Sequence, residues 1–199
     1  MAWISTISPD EATGRLAEAY EWQSQRLGSP TEFTQLGSLE PEIVHARLTL
    51  YKASEVTGSA LTARQKNLAG HVTSVVNRTP HCASRSRIKL RELGFGAPLL
   101  EAVDALDFSG LAPEEAAVAT YAEKLTRDPG AVSLEDIEAL RAVGLGDREI
   151  VDLNNQVAHL NYTNRVANGL GLLDEVSEDF PAFGKPTSPT SAMLLRTSR

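Results

Sequence analysis

An all-α fold is predicted by three features of this 199-residue sequence. Apolar residues recur at spacings of three and four in several long segments. Capping residues or prolines precede these segments, and glycines often follow them. No segment shows the sustained alternation of polar and apolar residues that a half-buried strand needs. Because the predicted connections are short, as in helical bundles, we expect one helical domain over residues 1–174. Residues 175–199, rich in Pro, Ser and Thr, are predicted to form a C-terminal arm that packs on a neighbouring subunit, the alternative being a disordered terminus.

Two helices are predicted in the first part of the chain. The first spans residues 8–27, because Ser8 suits the N-cap, Pro9 suits the first turn and the acids that follow oppose the positive end of the helix dipole. The second spans residues 41–56, where apolar side chains are spaced to form one face.

The next two predicted helices are separated by a short turn. Thr62 and Gln65 form a capping-box pattern that starts the third helix. The fourth helix starts at Thr79-Pro80 and ends before Gly94, since proline suits the first turn and glycine the C-terminal cap.

The same start and stop signals predict four further helices. Pro113 and Ser133 start two of them, and Asp147 is expected to cap the last long one. The predicted ranges are 98–106, 113–127, 133–143 and 147–168.

The composition excludes several classes of protein. With 42% hydrophobic and 23% charged residues, the chain is neither disordered nor collagen-like. Its single cysteine, Cys82, excludes an intrachain disulfide and a metal site made of four cysteines. No signal peptide or membrane span is recognisable, so we expect a cytoplasmic protein. No phosphate-binding loop, Rossmann fingerprint or His-Glu-x-x-His motif is present either, and we expect no bound metal or cofactor.

Positive charge is concentrated in residues 56–91. This segment holds seven Lys and Arg residues and no Asp or Glu, so it carries +7 in a chain whose net charge is −7. Nucleic-acid binding is not expected, because the protein is acidic overall and lacks a DNA-binding motif. The segment also contains Cys82, and we therefore look for a chemical site there.

Cys82 falls at position N3 of the predicted fourth helix if Thr79 is the N-cap. At such a position the unpaired amides and the helix dipole lower a thiol pKa from its usual value of about 8.5. Arg85 and Ser86 lie one turn later on the same face. The alternative is a small buried hydrophobic residue, as free cysteines often are.

Two polar stripes accompany this position. On the third helix, His71 and Arg78 share a face with Asn67 and Ser74, and they would supply a base and an anion clamp unless that face is simply solvated. The last helix is rich in asparagine and contains His159, which indicates either a structural hydrogen-bond network or the lining of a pocket.

Residues 61–94, with the sequence LTARQKNLAGHVTSVVNRTPHCASRSRIKLRELG, resemble the cysteine-bearing helix pair of the AhpD-like superfamily, which includes carboxymuconolactone decarboxylases and peroxidase-related proteins. Residues 160–172, LNYTNRVANGLGL, resemble the closing helix of that family. The resemblance implies an all-α domain that assembles into trimers or hexamers, although a dimer is an alternative. Thiol peroxidases of the family use two cysteines of a Cys-x-x-Cys motif, assisted by a histidine and a glutamate.

This sequence departs from the family pattern at each of those positions except one. Thr79 replaces the first cysteine and only the second, Cys82, remains. Ser86 replaces the histidine, and Asn67 replaces the glutamate. Without a second thiol no internal disulfide can form, so an oxidised Cys82 would need an external thiol reductant.

Three functions fit these observations. The first is a one-cysteine thiol peroxidase; the second is a cofactor-free decarboxylase, lyase or isomerase that acts on a small anionic substrate through arginines and a histidine. The third is a non-catalytic member of the family. We expect catalysis from Cys82, His81, His71 and Arg85, and substrate binding by Arg78, Thr79, Asn67, Ser86 and His159.

Overall fold

Nine α-helices and no β-strand are found in residues 2–56 and 59–180, the part of the chain that the computed structural model describes. The predicted all-α class is therefore confirmed. Contacts divide the chain into two units, whose described parts are residues 4–49 and residues 2–3 with 50–56 and 59–180. Within the described residues, no helix is long and apolar enough to cross a membrane.

The smaller unit contains α1 (Gly14–Leu27), α2 (Glu32–Leu36) and most of α3 (Pro41–Tyr51). Ala19 of α1 packs with Val44 and Leu48 of α3 in a small apolar cluster. The short α2 was not predicted from the sequence.

The predicted start of the first helix at Ser8 is wrong, since α1 begins at Gly14. The Ser8 hydroxyl donates to the Glu11 carboxylate over 2.7 Å, and the amide of Glu11 donates to the Ser8 carbonyl. The capping residues thus form a local turn of their own. Gly14 has a φ of +53°, which glycine adopts without steric cost, and the helix continues only from there.

The larger unit contains the remaining helices. Observed helix starts there agree with the predicted caps to within one or two residues, and both the Thr62 and the Ser133 capping boxes form. A π-helical turn, Lys52–Val56, follows α3, and a 3₁₀ turn lies at Pro129–Ala131. The helices are α4 (Ala63–Val76), α5 (Pro80–Glu92), α6 (Ala97–Asp104), α7 (Pro113–Arg127), α8 (Leu134–Ala142) and α9 (Asp147–Gly169).

Helix α4 is the centre of this unit, because it packs against α5, α7 and α9. Leu68, Ala69 and Val72 of α4 are fully buried in the apolar core. Since neighbours surround α4 on several sides, its polar face is buried as well: Asn67, His71 and Ser74 are all inaccessible or nearly so. The predicted stripe on this helix is therefore not a solvated surface.

The predicted C-terminal arm is described only at its start. Residues 175–180 lie along α5 of the same chain, where the amide of Val176 donates to the Ser84 hydroxyl over 3.0 Å. Residues 181–199, and with them the predicted packing of the arm on a neighbouring subunit, lie outside the described residues.

Candidate thiol site and adjoining cavity

The turn between α4 and α5 sets the position of Cys82. Arg78 has a φ of +53°, a left-handed conformation that is uncommon for residues other than glycine. It redirects the chain so that Thr79 becomes the N-cap and Pro80 the first residue of α5, which confirms the predicted helix start. Cys82 consequently lies in the first turn, where backbone amides have no acceptor within the helix.

Thr79 occupies the N-cap position without capping the helix through its side chain. The residue is only 1% exposed, and its hydroxyl oxygen has no hydrogen-bond partner among the described residues. A buried hydroxyl without a partner costs about 1–3 kcal/mol. The Thr79 hydroxyl thus has a free hydrogen-bond donor at the N-terminus of the helix that carries Cys82.

Cys82 as a residue is partly buried. Burial raises its pKa, and the hydrogen bond from Asn164 and the positive charge of Arg85 oppose that rise without cancelling it. The expected lowering of the thiol pKa by the helix terminus is therefore wrong. The physical reason is that the thiol is enclosed between helices, where removing solvent disfavours the thiolate more than the nearby charge and dipoles favour it.

Asn164 of α9 is fully buried and is held in place from both ends of its amide. Its Oδ1 accepts from the side-chain amide of Asn77 over 3.1 Å, and its Nδ2 donates to the Ser74 hydroxyl over 3.2 Å. A side-chain amide has two N–H donors, so one remains for the Cys82 sulfur. The asparagine-rich stretch of the last helix thus forms a structural network that also contacts the thiol.

Most arginines of the basic segment form ion pairs with acids from other parts of the chain. Three of the seven positive charges of residues 56–91 are therefore neutralised by acids that are distant in sequence. The pairs are Arg64 with Glu115 of α7, Arg87 with Asp104 of α6, and Arg91 with Glu178 of the segment after α9.

Arg85 differs from those three arginines. It has no carboxylate partner among the described residues, and its Nε is buried without a hydrogen-bond acceptor. Its guanidinium stacks on the ring of Phe180, 4.9 Å from the ring centroid. The positive charge beside Cys82 is therefore not neutralised by an acid of this part of the chain, whereas Arg78 is exposed to solvent.

His71 of α4 is 1% exposed and bonds to two side chains. Its Nε2 lies 2.7 Å from Asp104 Oδ1, and its Nδ1 lies 2.9 Å from the Ser86 hydroxyl. Because an ionised carboxylate can only accept, Nε2 carries the proton of the neutral ring, and the unprotonated Nδ1 faces the Ser86 hydroxyl, which also lies within hydrogen-bond distance of the Cys82 and Ala83 carbonyls. Burial, reinforced by the charge of Arg87, lowers the pKa of His71 to about 4, so the ring is neutral at pH 7.

A cavity of about 480 Å³ opens beside this histidine, between α4, α5, α6 and residues 175–178. Val75, Ile88 and Leu100 supply apolar lining. The charged and ionisable lining consists of His71, Arg87, Arg91, Asp104, Glu175 and Glu178.

The structure separates the predicted site residues into different places. Thr79, Cys82 and Arg85 lie together at the start of α5, and His71 bonds to Ser86. The lining of the cavity includes His71 but neither Arg78 nor His81.

The other predicted residues make local contacts. His81 is buried, with its Nδ1 3.0 Å from the carbonyl oxygen of Asp174. Asn67 donates to the Ala63 carbonyl one turn earlier. The ring of His159 lies against Tyr51, with 6.5 Å between the ring centroids. Among the described residues, no group of His, Cys, Asp and Glu side chains is arranged to hold a metal ion.

Sequence reasoning missed Asn164, Asp104, Arg87 and Arg91 as parts of these sites. The asparagine-rich stretch was a usable signal for Asn164, although it did not indicate a contact with Cys82. No sequence signal connected Asp104 with His71, since the two residues are far apart in the chain and are joined only by the packing of α6 on α4.

Several solved structures have the same architecture as this chain. A peroxidase-related protein from Ralstonia eutropha JMP134, described as an alkylhydroperoxidase AhpD core, is 19% identical with a TM-score of 0.80 and covers 90% of this chain and 94% of its own. The fold is that of the AhpD core. A peroxidase-related protein from Silicibacter sp. TM1040 has 21% identity and a TM-score of 0.74, and the alignment covers 91% of this chain and 92% of that one.

Two further solved structures share the AhpD-like fold. A protein from Agrobacterium tumefaciens described as a putative antioxidant defence protein AhpD is 24% identical, with a TM-score of 0.63, and covers 71% of this chain and 96% of its own. A Cys→Ala variant of the debrominase Bmp8 in complex with 2,3,4-tribromopyrrole has 13% identity and a TM-score of 0.67 over the full length of both chains. No family model and no curated protein matches the sequence.

Proposed function

We propose that this protein is a one-cysteine thiol enzyme that reduces a small electrophile, a peroxide, at Cys82 and uses an external thiol as reductant. The observation that carries the proposal is the state of Arg85. Arg64, Arg87 and Arg91 all have carboxylate partners, while Arg85 beside the sulfur has none among the described residues.

Donors at the same helix end as Cys82 suit a negative charge that develops during reaction. The Nε of Arg85 and the hydroxyl of Thr79 are buried without partners, and the first-turn amides of α5 have no acceptor within the helix. Donors that are already oriented and shielded from water stabilise a charged transition state more than they would in solution. The resting thiol stays protonated at neutral pH because burial raises its pKa.

The reaction balances with a single cysteine. The Cys82 thiol loses its proton, the thiolate attacks the peroxide, forming an S–O bond and breaking the O–O bond, and the alkoxide takes up that proton and leaves as alcohol. The first external thiol attacks the sulfenic acid, giving a mixed disulfide and water. A second external thiol then releases Cys82 as thiol and leaves as a disulfide, so two thiols are oxidised for each peroxide reduced.

The solved structures of this fold support the same class of chemistry. Two of them are peroxidase-related proteins, and a third is a debrominase whose Cys→Ala variant was obtained with a brominated pyrrole.

The test measures oxidation of Cys82 by intact mass after addition of one equivalent of cumene hydroperoxide and trapping of the sulfenic acid with dimedone. Because the chain has one cysteine, every label reports Cys82. We expect the folded protein to be oxidised faster than the same protein in urea, and Arg85→Gln to slow oxidation about tenfold or more, the worth of a charge-assisted hydrogen bond.

Turnover of cumene hydroperoxide with dithiothreitol should be lost in Cys82→Ser. Lys89→Gln, which removes a positive charge farther along α5, is the matched control and should leave oxidation unchanged. The proposal is refuted if the folded protein is oxidised no faster than the urea-unfolded chain. Retention of turnover by Cys82→Ser would instead favour cofactor-free acid/base chemistry.

A further inference from the structure

The charged residues that line the cavity between α4, α5 and α6 differ in how many partners hold them. Inside, Asp104 is held by two partners, since Oδ1 bonds to His71 and Oδ2 pairs with Arg87. Both carboxylate oxygens are engaged, one of them by the buried His71, so Asp104 is held more firmly than a carboxylate with a single exposed partner.

At the entrance, Arg91 pairs with a single carboxylate. Its Nη1 lies 2.5 Å from Glu178 Oε2, and the two side chains are 53% and 82% exposed. Exposed ion pairs of this kind contribute about 0.2–1 kcal/mol. Glu178 therefore occupies the anion position of Arg91 without being held firmly in it.

The chain segment that carries Glu178 is attached to α5 by few contacts. The amide of Val176 bonds to the Ser84 hydroxyl, and Phe180 stacks on Arg85. A carboxylate that reaches the cavity from solvent competes with this weakly held glutamate for Arg91.

We propose that this cavity is a binding site for a small organic carboxylate, separate from Cys82, and that Glu178 occupies the place of the ligand's carboxylate when the site is empty. The ligand carboxylate pairs with Arg91. Its apolar body packs on Val75, Ile88 and Leu100, and its far end reaches the fixed group of His71, Asp104 and Arg87.

Glu175 provides a matched control for the role of Glu178. It lines the same cavity and is exposed, but it forms no ion pair with an arginine of the described chain. Removing either carboxylate changes the net charge near the entrance equally, while only the change at Glu178 frees Arg91.

The experiment is calorimetric titration of the full chain with 3-phenylpropionate, and with 3-phenylpropylamine as a probe of similar shape and opposite charge. We expect the carboxylate to bind and the amine not to bind. Glu178→Gln should tighten carboxylate binding about two- to fivefold, the range that an exposed ion pair allows, while Glu175→Gln should change it less than about 1.5-fold. Arg91→Gln should weaken it about tenfold or more.

Cys82→Ser is included to separate this proposal from the thiol function, and its affinity for the carboxylate should equal that of the wild type. The proposal is overturned if the amine binds as tightly as the carboxylate, if Glu175→Gln and Glu178→Gln have equal effects, or if neither wild type nor Glu178→Gln binds the carboxylate at millimolar concentration. Circular dichroism of each variant shows that the fold is retained.

Discussion

Asn164 is the side chain that most directly connects the buried hydrogen-bond network with the candidate thiol, and its replacement gives the sharpest prediction. Asn164→Ala removes the hydrogen bond to the Cys82 sulfur. It leaves Asn77 bonded to Asn161 Oδ1 and leaves the Ser74 hydroxyl bonded to the Gly70 carbonyl. The fold should therefore survive, with a loss of about 1–3 kcal/mol in the free energy of unfolding.

Asn164→Ala should also reduce the fraction of Cys82 that is present as thiolate. A hydrogen bond to a charged group contributes about 1.5–3 kcal/mol, which corresponds to roughly a 10- to 100-fold change in the thiolate population. Since only the thiolate is alkylated, the rate below the midpoint of its pH profile should fall by about tenfold or more, measured relative to the plateau at high pH.

The assay is the pH profile of alkylation by iodoacetamide, followed by intact mass. A change in access alters the height of the plateau, whereas a change in thiolate stability moves the midpoint, so the midpoint is the decisive quantity. Asn161→Ala is the matched control. Asn161 lies on the same helix as Asn164 and also bonds to Asn77, but it does not bond to Cys82. A midpoint in Asn164→Ala at or below that of the wild type would refute the argument.

Three further predictions concern stability. Thr79→Val should leave the free energy of unfolding unchanged or raise it by up to about 1 kcal/mol in urea titrations, because it deletes a buried hydroxyl without a partner; a clear loss of stability would contradict this. The pKa of His71 is about 4 in the folded protein, below its unfolded value of 6.5, so the stability it provides is complete above pH 6.5 and is lost as the pH falls through 4. That loss amounts to roughly 3 kcal/mol in the free energy of unfolding between pH 7 and pH 4. Urea titrations at the two pH values should not show this loss in His71→Gln and should still show it in His45→Gln. Arg64→Met should cost about 1–3 kcal/mol in urea titrations, since it leaves the Glu115 carboxylate, 12% exposed, and the Leu93 carbonyl without their donor. Arg141→Met, at an exposed ion pair, is the control and should cost clearly less by the same measurement.

The local sequence determined the helical class and most helix boundaries. Capping boxes at Thr62 and Ser133 and the proline after Thr79 act on residues within one turn, so they can be recognised without the rest of the chain. They also placed Cys82 at N3 of its helix. Where the local signal failed, at Ser8, a competing turn had used the same side chains.

Only the tertiary structure decided the chemical state of the residues so placed. Burial between helices raises the pKa of Cys82, although its position in α5 favours the thiolate. Acids from α6, α7 and the segment after α9 neutralise three arginines of a segment that contains no acid of its own, and Arg85 is left beside the thiol without one. Helix caps are set by neighbours in sequence, but pKa values and ion pairs depend on solvent exclusion and on groups distant in sequence, which only the packed structure brings within reach.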